Sequence, residues 1–303
     1  MPVSRRIYFS MPHDDNVTEH QRTLQWALAA KVESMGYIVE VFARPRGKPG
    51  LAAFRDWSRQ GCDEVARRCC GAVFIGTPRW VLELMGGEEL RFASEYCHYE
   101  AGVIETLKLP RLVLREDDLV PRVVFGDNFG GYIARVPRDS GPDWLETDEH
   151  FQHIFASWRN QLDQRRDLFL GYCSNAADVA DKVKAHLAEL GASVLDWKTD
   201  FAPAGSIFEQ IVAASERCSA GIFLFTKDDP LKGQKDHASP RDNVVFEAGY
   251  FACAKGKERV LIVREAGSKM PADLGGDIYA LLEDRTDIDP IKPTLEKFLD
   301  SRL

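Results

Sequence analysis

The residue best placed to do chemistry in this chain is Glu247, in the run PRDNVVFEAGYF (Pro240–Phe251). Val244, Val245, Phe246, Tyr250 and Phe251 flank it. A carboxylate among that much apolar surface costs free energy unless a cation pairs with it or a ligand solvates it. Asn243 stands one helical turn before it and Arg241 two residues earlier, and either suits pairing or substrate contact. Open parallel sheets bind ligands outside the carboxyl ends of their strands, where the loops begin. That rule gathers Gly171, Tyr172, Ser174 and Asn175, the loop Thr199–Ser206, and the turn TKDD (Thr226–Asp229) around the same glutamate.

Other chemistries find no support. GxGxxG and GxxxxGK[ST] phosphate loops are absent. His13, His98, His150, His153 and His237 have no metal-ligand spacing, so no metal is expected. The seven cysteines form no CxxC pair and read as reduced thiols. Cys97 and His98 are adjacent and would face different ways on a helix or strand, which argues against a thiol nucleophile.

The elements that must position Glu247 occur twice. RRIYFSMPHDDN (Arg5–Asn16) and RRDLFLGYCSNAAD (Arg165–Asp178) each read as a short apolar strand and a polar turn. Amphipathic helices follow, Leu24–Tyr37 and Ala180–Ala192, stopped at Gly36 and Gly191. A β-type run comes next in each, Tyr37–Phe42 and Ser193–Trp197. The parallel extends through Cys62–Pro78 with Ile211–Asp229, and through His98–Glu116 with Val245–Glu265. The last pair shares Glu-Ala-Gly and ends on Arg-Glu. Continuous apolar strands alternating with helices predict parallel sheets covered on both faces. The expected fold class is therefore α/β, two small doubly wound flavodoxin-like domains in tandem. The domains are read as 1–135 and 166–303. Between them, 136–165 forms a connector whose helix carries Phe151, Ile154, Phe155 and Trp158.

From about Asp167 onward the chain resembles the TIR domains of bacterial antiphage effectors of the CBASS and Pycsar type. The resemblance rests on IFLFTKDD, on Arg241, Asn243, Phe246, Glu247, Gly249, Tyr250 and Phe251, and on MPADLGGDIY (Met270–Tyr279). Lys227 replaces a family proline and Ala248 a leucine. The N-terminal half is similar only as a looser TIR-like repeat. The resemblance implies cleavage of the nicotinamide–ribose bond of NAD⁺ with Glu247 as the catalytic acid and NAD⁺ as substrate, no cofactor being required. Tyr172, Phe201, Asp229, Arg241 and Asn243 are then the substrate-binding candidates, with Phe208 a further aromatic that could stack on a ring. It also implies a homo-oligomer, in which a loop such as Thr199–Ser206 closes the site of another copy. Rival readings are a cyclase making a cyclic ADP-ribose messenger, a non-catalytic TIR adaptor, and a nucleoside-deoxyribosyltransferase-like enzyme.

Glu100 is the repeat counterpart of Glu247, but it lacks the Arg-x-Asn-Val context, so a structural or regulatory remnant is expected. The same repeat carries Arg44, Arg46 and Lys48 in a Pro/Gly loop, a candidate anion site for a nucleotide or nucleic-acid-linked activator. The net charge of −8 argues against a protein that coats nucleic acid. No apolar run approaches the ~18–20 residues of a membrane span, and no signal-peptide pattern follows Arg5 and Arg6. The expected location is the cytoplasm.

Overall fold

A computed structural model describes residues 3, 5–42, 56–130, 132–201, 206–230, 238–271 and 279–302. Arg44, Arg46 and Lys48 lie outside the described residues. The chain forms two units, Ser4–Gln164 and Arg165–Leu303, the latter taking in Met1–Val3.

The N-terminal unit contains β1 (Arg6–Ser10), α1 (Glu19–Ser34), β2 (Ile38–Glu40), α2 (Arg59–Ala66) and β3 (Cys69–Gly76). A hairpin of β4 (Trp80–Glu83) and β5 (Glu89–Phe92) follows, then α3 (Glu95–Thr106), β6 (Arg111–Glu116) and β7 (Ile133–Val136). Two helices close the unit, α4 (Trp144–Thr147) and α5 (Glu149–Asp163). The five-stranded sheet runs β2-β1-β3-β6-β7, every pair parallel. On one face Leu24, Leu28 and Val32 of α1 pack with Phe151, Ile154, Phe155 and Trp158 of α5. On the other, Cys62 and Val65 of α2 and Ala101 and Ile104 of α3 cover Tyr8, Phe74 and Val113. The helix of the connector is thus part of this unit's core. Helix α1 begins earlier than its apolar stripe suggests, because Thr18 and Gln21 form a capping box. It stops where Gly36 takes φ +89°, a conformation L side chains rarely adopt.

The C-terminal unit repeats the plan. It contains β8 (Arg166–Gly171), α6 (Ala177–Glu189), β9 (Val194–Asp196), α7 (Trp197–Asp200), α8 (Ile207–Arg217) and β10 (Cys218–Phe225). The two-residue strands β11 (Asp229–Pro230) and β12 (Ala238–Ser239) precede α9 (Asp242–Lys255), β13 (Val260–Glu265), β14 (Tyr279–Leu282) and α10 (Lys292–Arg302). The sheet order β14-β13-β10-β8-β9 is the mirror listing of the first, and all its pairs are parallel. Counted within each unit, both orders are 2-1-3-4-5, the flavodoxin-like doubly wound arrangement. Helices α6 and α10 cover one face, and α8 and α9 the other. The direction of winding reverses between β8 and β10, which leaves a crevice at their carboxyl ends.

Candidate functional site

Glu247 sits in the middle of α9, on the face that packs over β8 and β10. Beneath it lies an aromatic floor: Phe169 stacks on Phe251 at 4.9 Å, and Phe223 meets Phe251 edge-on at 5.4 Å. Glu247 is only 8% exposed, and its Oε2 has no hydrogen-bond partner among the described residues. Burial pushes it up to about 7. Gly171, the last residue of β8, makes this placement sterically feasible. A Cβ there would stand 2.8 Å from Glu247 Oε2 and 2.5 Å from a Phe223 ring carbon.

The crevice above the carboxylate has a volume of about 750 Å³, inside the ~300–1,000 Å³ range of small-molecule sites. Tyr172, Trp197, Phe201, Arg241, Asn243 and Glu247 all line it. Tyr172 is largely buried, and its hydroxyl donates to Asp196 Oδ1 at 2.8 Å. Burial opposes ionisation of Asp196, yet hydrogen bonds from Lys184, the Lys198 amide and Tyr172 hold it below the usual carboxylate range. Lys198 lies 5.5 Å over the Tyr172 ring and also lines the crevice. Aromatic walls, two cations and one buried carboxylate suit a ligand with rings, phosphates and a region of developing positive charge.

Arg241 does not neutralise Glu247, although its spacing invites that pairing. It is the N-cap residue of α9 and faces Asp229 at 3.4 Å. The TKDD turn fixes it there: Thr226 donates to Asp228, and Asp228 accepts the Arg241 amide at 3.1 Å. The turn is tied to the sheet through Glu265, which accepts from the Lys227 amide and from Arg285, each at 2.7 Å. Asp229 is therefore Arg241's partner and is not among the lining residues. Phe208 is exposed and packs with Phe246 and Tyr250, away from the crevice.

Sequence reasoning missed Trp197 and Lys198. The β-type run Ser193–Trp197 puts Trp197 at a strand's end, but β9 stops at Asp196, whose side chain caps α7 by accepting the Lys198 amide. An Asp closing a short strand is an N-cap signal that would have placed both residues at the strand's carboxyl end.

The fold is that of TIR and flavodoxin-like domains, and residues 167–284 match the family described as CAP12/Pycsar effector protein, TIR domain. The C-terminal unit thus carries a TIR domain of the CAP12/Pycsar effector type. Over 111 residues the chain is 33% identical to CD-NTase-associated protein 12 of Lachnospiraceae bacterium (strain RUG226), covering 36% of this chain and 35% of that protein. It is 32% identical over 111 residues to the protein of the same name from Flavobacterium daejeonense, with the same coverage. It is also 37% identical over 87 residues to the uncharacterized protein YuaY of Escherichia coli (strain K12), covering 27% of this chain and 29% of YuaY. The chain spans about a third of the length of the curated relatives it matches. Among the described residues no group of three His, Cys, Asp or Glu could hold a metal ion, and no helix is long and apolar enough to cross a membrane.

Proposed function

We propose that the C-terminal unit is an NAD⁺ glycohydrolase and that the chain acts as an antiphage defence effector, switched on by a nucleotide signal or by assembly. The observation that carries this reading is the buried Glu247 carboxylate, whose Oε2 has no partner among the described residues and which lines a crevice large enough for a dinucleotide. The C1′–N1 bond of NAD⁺ breaks with its electron pair moving to the pyridinium nitrogen, so nicotinamide leaves neutral. Positive charge then develops on the ribose, where an ionised carboxylate stabilises it most. Water adds to C1′ and releases a proton, giving ADP-ribose. The Phe169, Phe223 and Phe251 floor keeps water from the carboxylate and strengthens its field. Trp197 and Phe201 offer rings for stacking, and Lys198 and Arg241 offer charge to the diphosphate. Water is the only co-reactant this scheme needs.

The similarity to proteins named CD-NTase-associated supports a nucleotide as the activating signal. The test is NAD⁺ loss by purified protein, with and without cyclic nucleotides, and chromatography of the products. ADP-ribose and nicotinamide are expected. A cyclic ADP-ribose product would make the enzyme a cyclase, and intact NAD⁺ under every activator would overturn the reading.

A further inference from the structure

The N-terminal unit has a crevice of its own at the same place in its fold. It opens beyond the carboxyl ends of β1 and β3, and its lining includes His13, Phe42, Trp57, Arg79, Tyr96 and Glu100. Glu100 is carried by α3 as Glu247 is by α9, and it is 6% exposed. The surroundings of the two carboxylates differ. Trp57 Nε1 donates to Glu100 Oε1 at 2.7 Å. Burial still pushes Glu100 up to about 7 against this hydrogen bond. Six and four residues before Glu100 stand Ser94 and Tyr96, where the other unit has Arg241 and Asn243.

The walls of this crevice fit one kind of ligand. Trp57 and Tyr96 lie with ring centroids 4.5 Å apart and form an aromatic wall. Arg79 stands exposed at the rim, hydrogen-bonded to the neutral Asn16 side chain and 5.3 Å over the Trp80 ring. His13 is also on the rim and exposed. An aromatic surface, a deep carboxylate that accepts a hydrogen bond and the Arg79 guanidinium match, in that order, a base, sugar hydroxyls and a phosphate. Size sets the extent. The crevice measures about 260 Å³ against about 750 Å³ for the other, room for one nucleotide and not two.

We propose that the crevice of the N-terminal unit binds a mononucleotide without cleaving it, the base against Trp57 and Tyr96, the sugar toward Glu100 and the phosphate on Arg79. No cleavage is expected there, because Trp57 donates to Glu100 Oε1 and lowers its charge density, whereas Glu247 Oε2 has no partner among the described residues. The inference does not depend on what the C-terminal unit does to NAD⁺.

Isothermal titration of the full chain tests it, with adenosine 5′-monophosphate, 3′,5′-cyclic adenosine monophosphate and adenosine as probes. The expected result is one site that binds at least one of the two phosphate-bearing probes and releases it unchanged; which of them binds better distinguishes an open from a cyclic phosphate. Arg79→Ala should weaken that binding about tenfold or more while adenosine changes little, since only the phosphate contact is lost. Tyr96→Ala should weaken all three probes. Both side chains are exposed, so neither change threatens folding. Trp197→Leu, in the other crevice, should leave the site intact. Absence of binding by both phosphate-bearing probes at millimolar concentration, or a site that responds to Trp197→Leu and not to Arg79→Ala, would overturn the proposal.

Discussion

Replacing Glu247 by glutamine separates what this carboxylate does from what it costs. In the unfolded chain a glutamate loses its proton near 4.5; in the folded protein burial holds the proton on Glu247 to about 7. Between those values the native state binds more protons than the unfolded one, so its stability falls as pH rises through that window and levels off above 7. At about 1.36 kcal/mol per unit, the ionised form is disfavoured by about 3 kcal/mol, of which about 2.5 kcal/mol appears between pH 5 and pH 8. Glutamine keeps the shape and has no such dependence. The stability difference between Glu247→Gln and the parent should therefore grow in the variant's favour by about 2.5 kcal/mol from pH 5 to pH 8. Glu100, also near 7, is present in both proteins and cancels in the difference. For a unit of about 140 residues, that corresponds to a relative gain in Tm of roughly 8 °C, readable by calorimetry. The same variant should lose about 10²-fold or more of NAD⁺ cleavage, and cleavage by the parent should rise with pH to a plateau above about 7. A stability difference that stays flat across this range would refute the claim that Glu247 is held unpaired in a dry site. Turnover within threefold of the parent would refute its catalytic role.

Gly171→Ala should lower stability by about 1–3 kcal/mol and cleavage with it, because the new methyl meets both Phe223 and Glu247 below 3.0 Å; unchanged melting and turnover would contradict the close approach. Tyr172→Phe removes the hydroxyl that donates to Asp196 and should cost about 1 kcal/mol in denaturant unfolding. Arg285→Gln removes the nearer of the two cations beside the buried Glu265, leaving Lys227 Nζ at 3.7 Å, and should destabilise the unit by about 1–3 kcal/mol at pH 7, less as pH falls and Glu265 is protonated. Replacing Arg44, Arg46 and Lys48 together by serine should shift the dose–response of an anionic activator to much higher concentration and flatten its salt dependence; an unshifted curve would exclude the loop as an anion site.

The doubly wound plan was legible because its signals are strong and local. Continuous apolar runs such as Gly221–Phe225 admit few other roles, and the repetition of Glu-Ala-Gly ahead of an Arg-Glu strand end fixed the order of elements twice. Weaker patterns hid other parts. The strands β7 and β14 are four residues each with alternating burial, too short to stand out from loops. The hairpin β4–β5 exposes Trp80, Val81 and Leu82, so it has no buried face for a pattern to reveal. At the site, Glu247 announced itself through its apolar flanks. The partner of Arg241 was not legible, since the choice between Glu247 and Asp229 depends on a turn that Asp228 and Glu265 fasten from outside the helix.

A carboxyl that titrates near neutrality also makes its crevice a proton-exchange site. Near pH 7 Glu247 exchanges its proton, and a cationic ligand group that approaches Oε2 must displace it. Occupancy and proton release then become one equilibrium. Acidification below 7 weakens binding of such a ligand by a factor that approaches about tenfold per unit, with no change in any contact it makes. Heats of binding measured in buffers of different ionisation enthalpy would count the displaced proton directly. The crevice thus responds to the acidity of its surroundings through the very lack of partners that leaves Glu247 free to act.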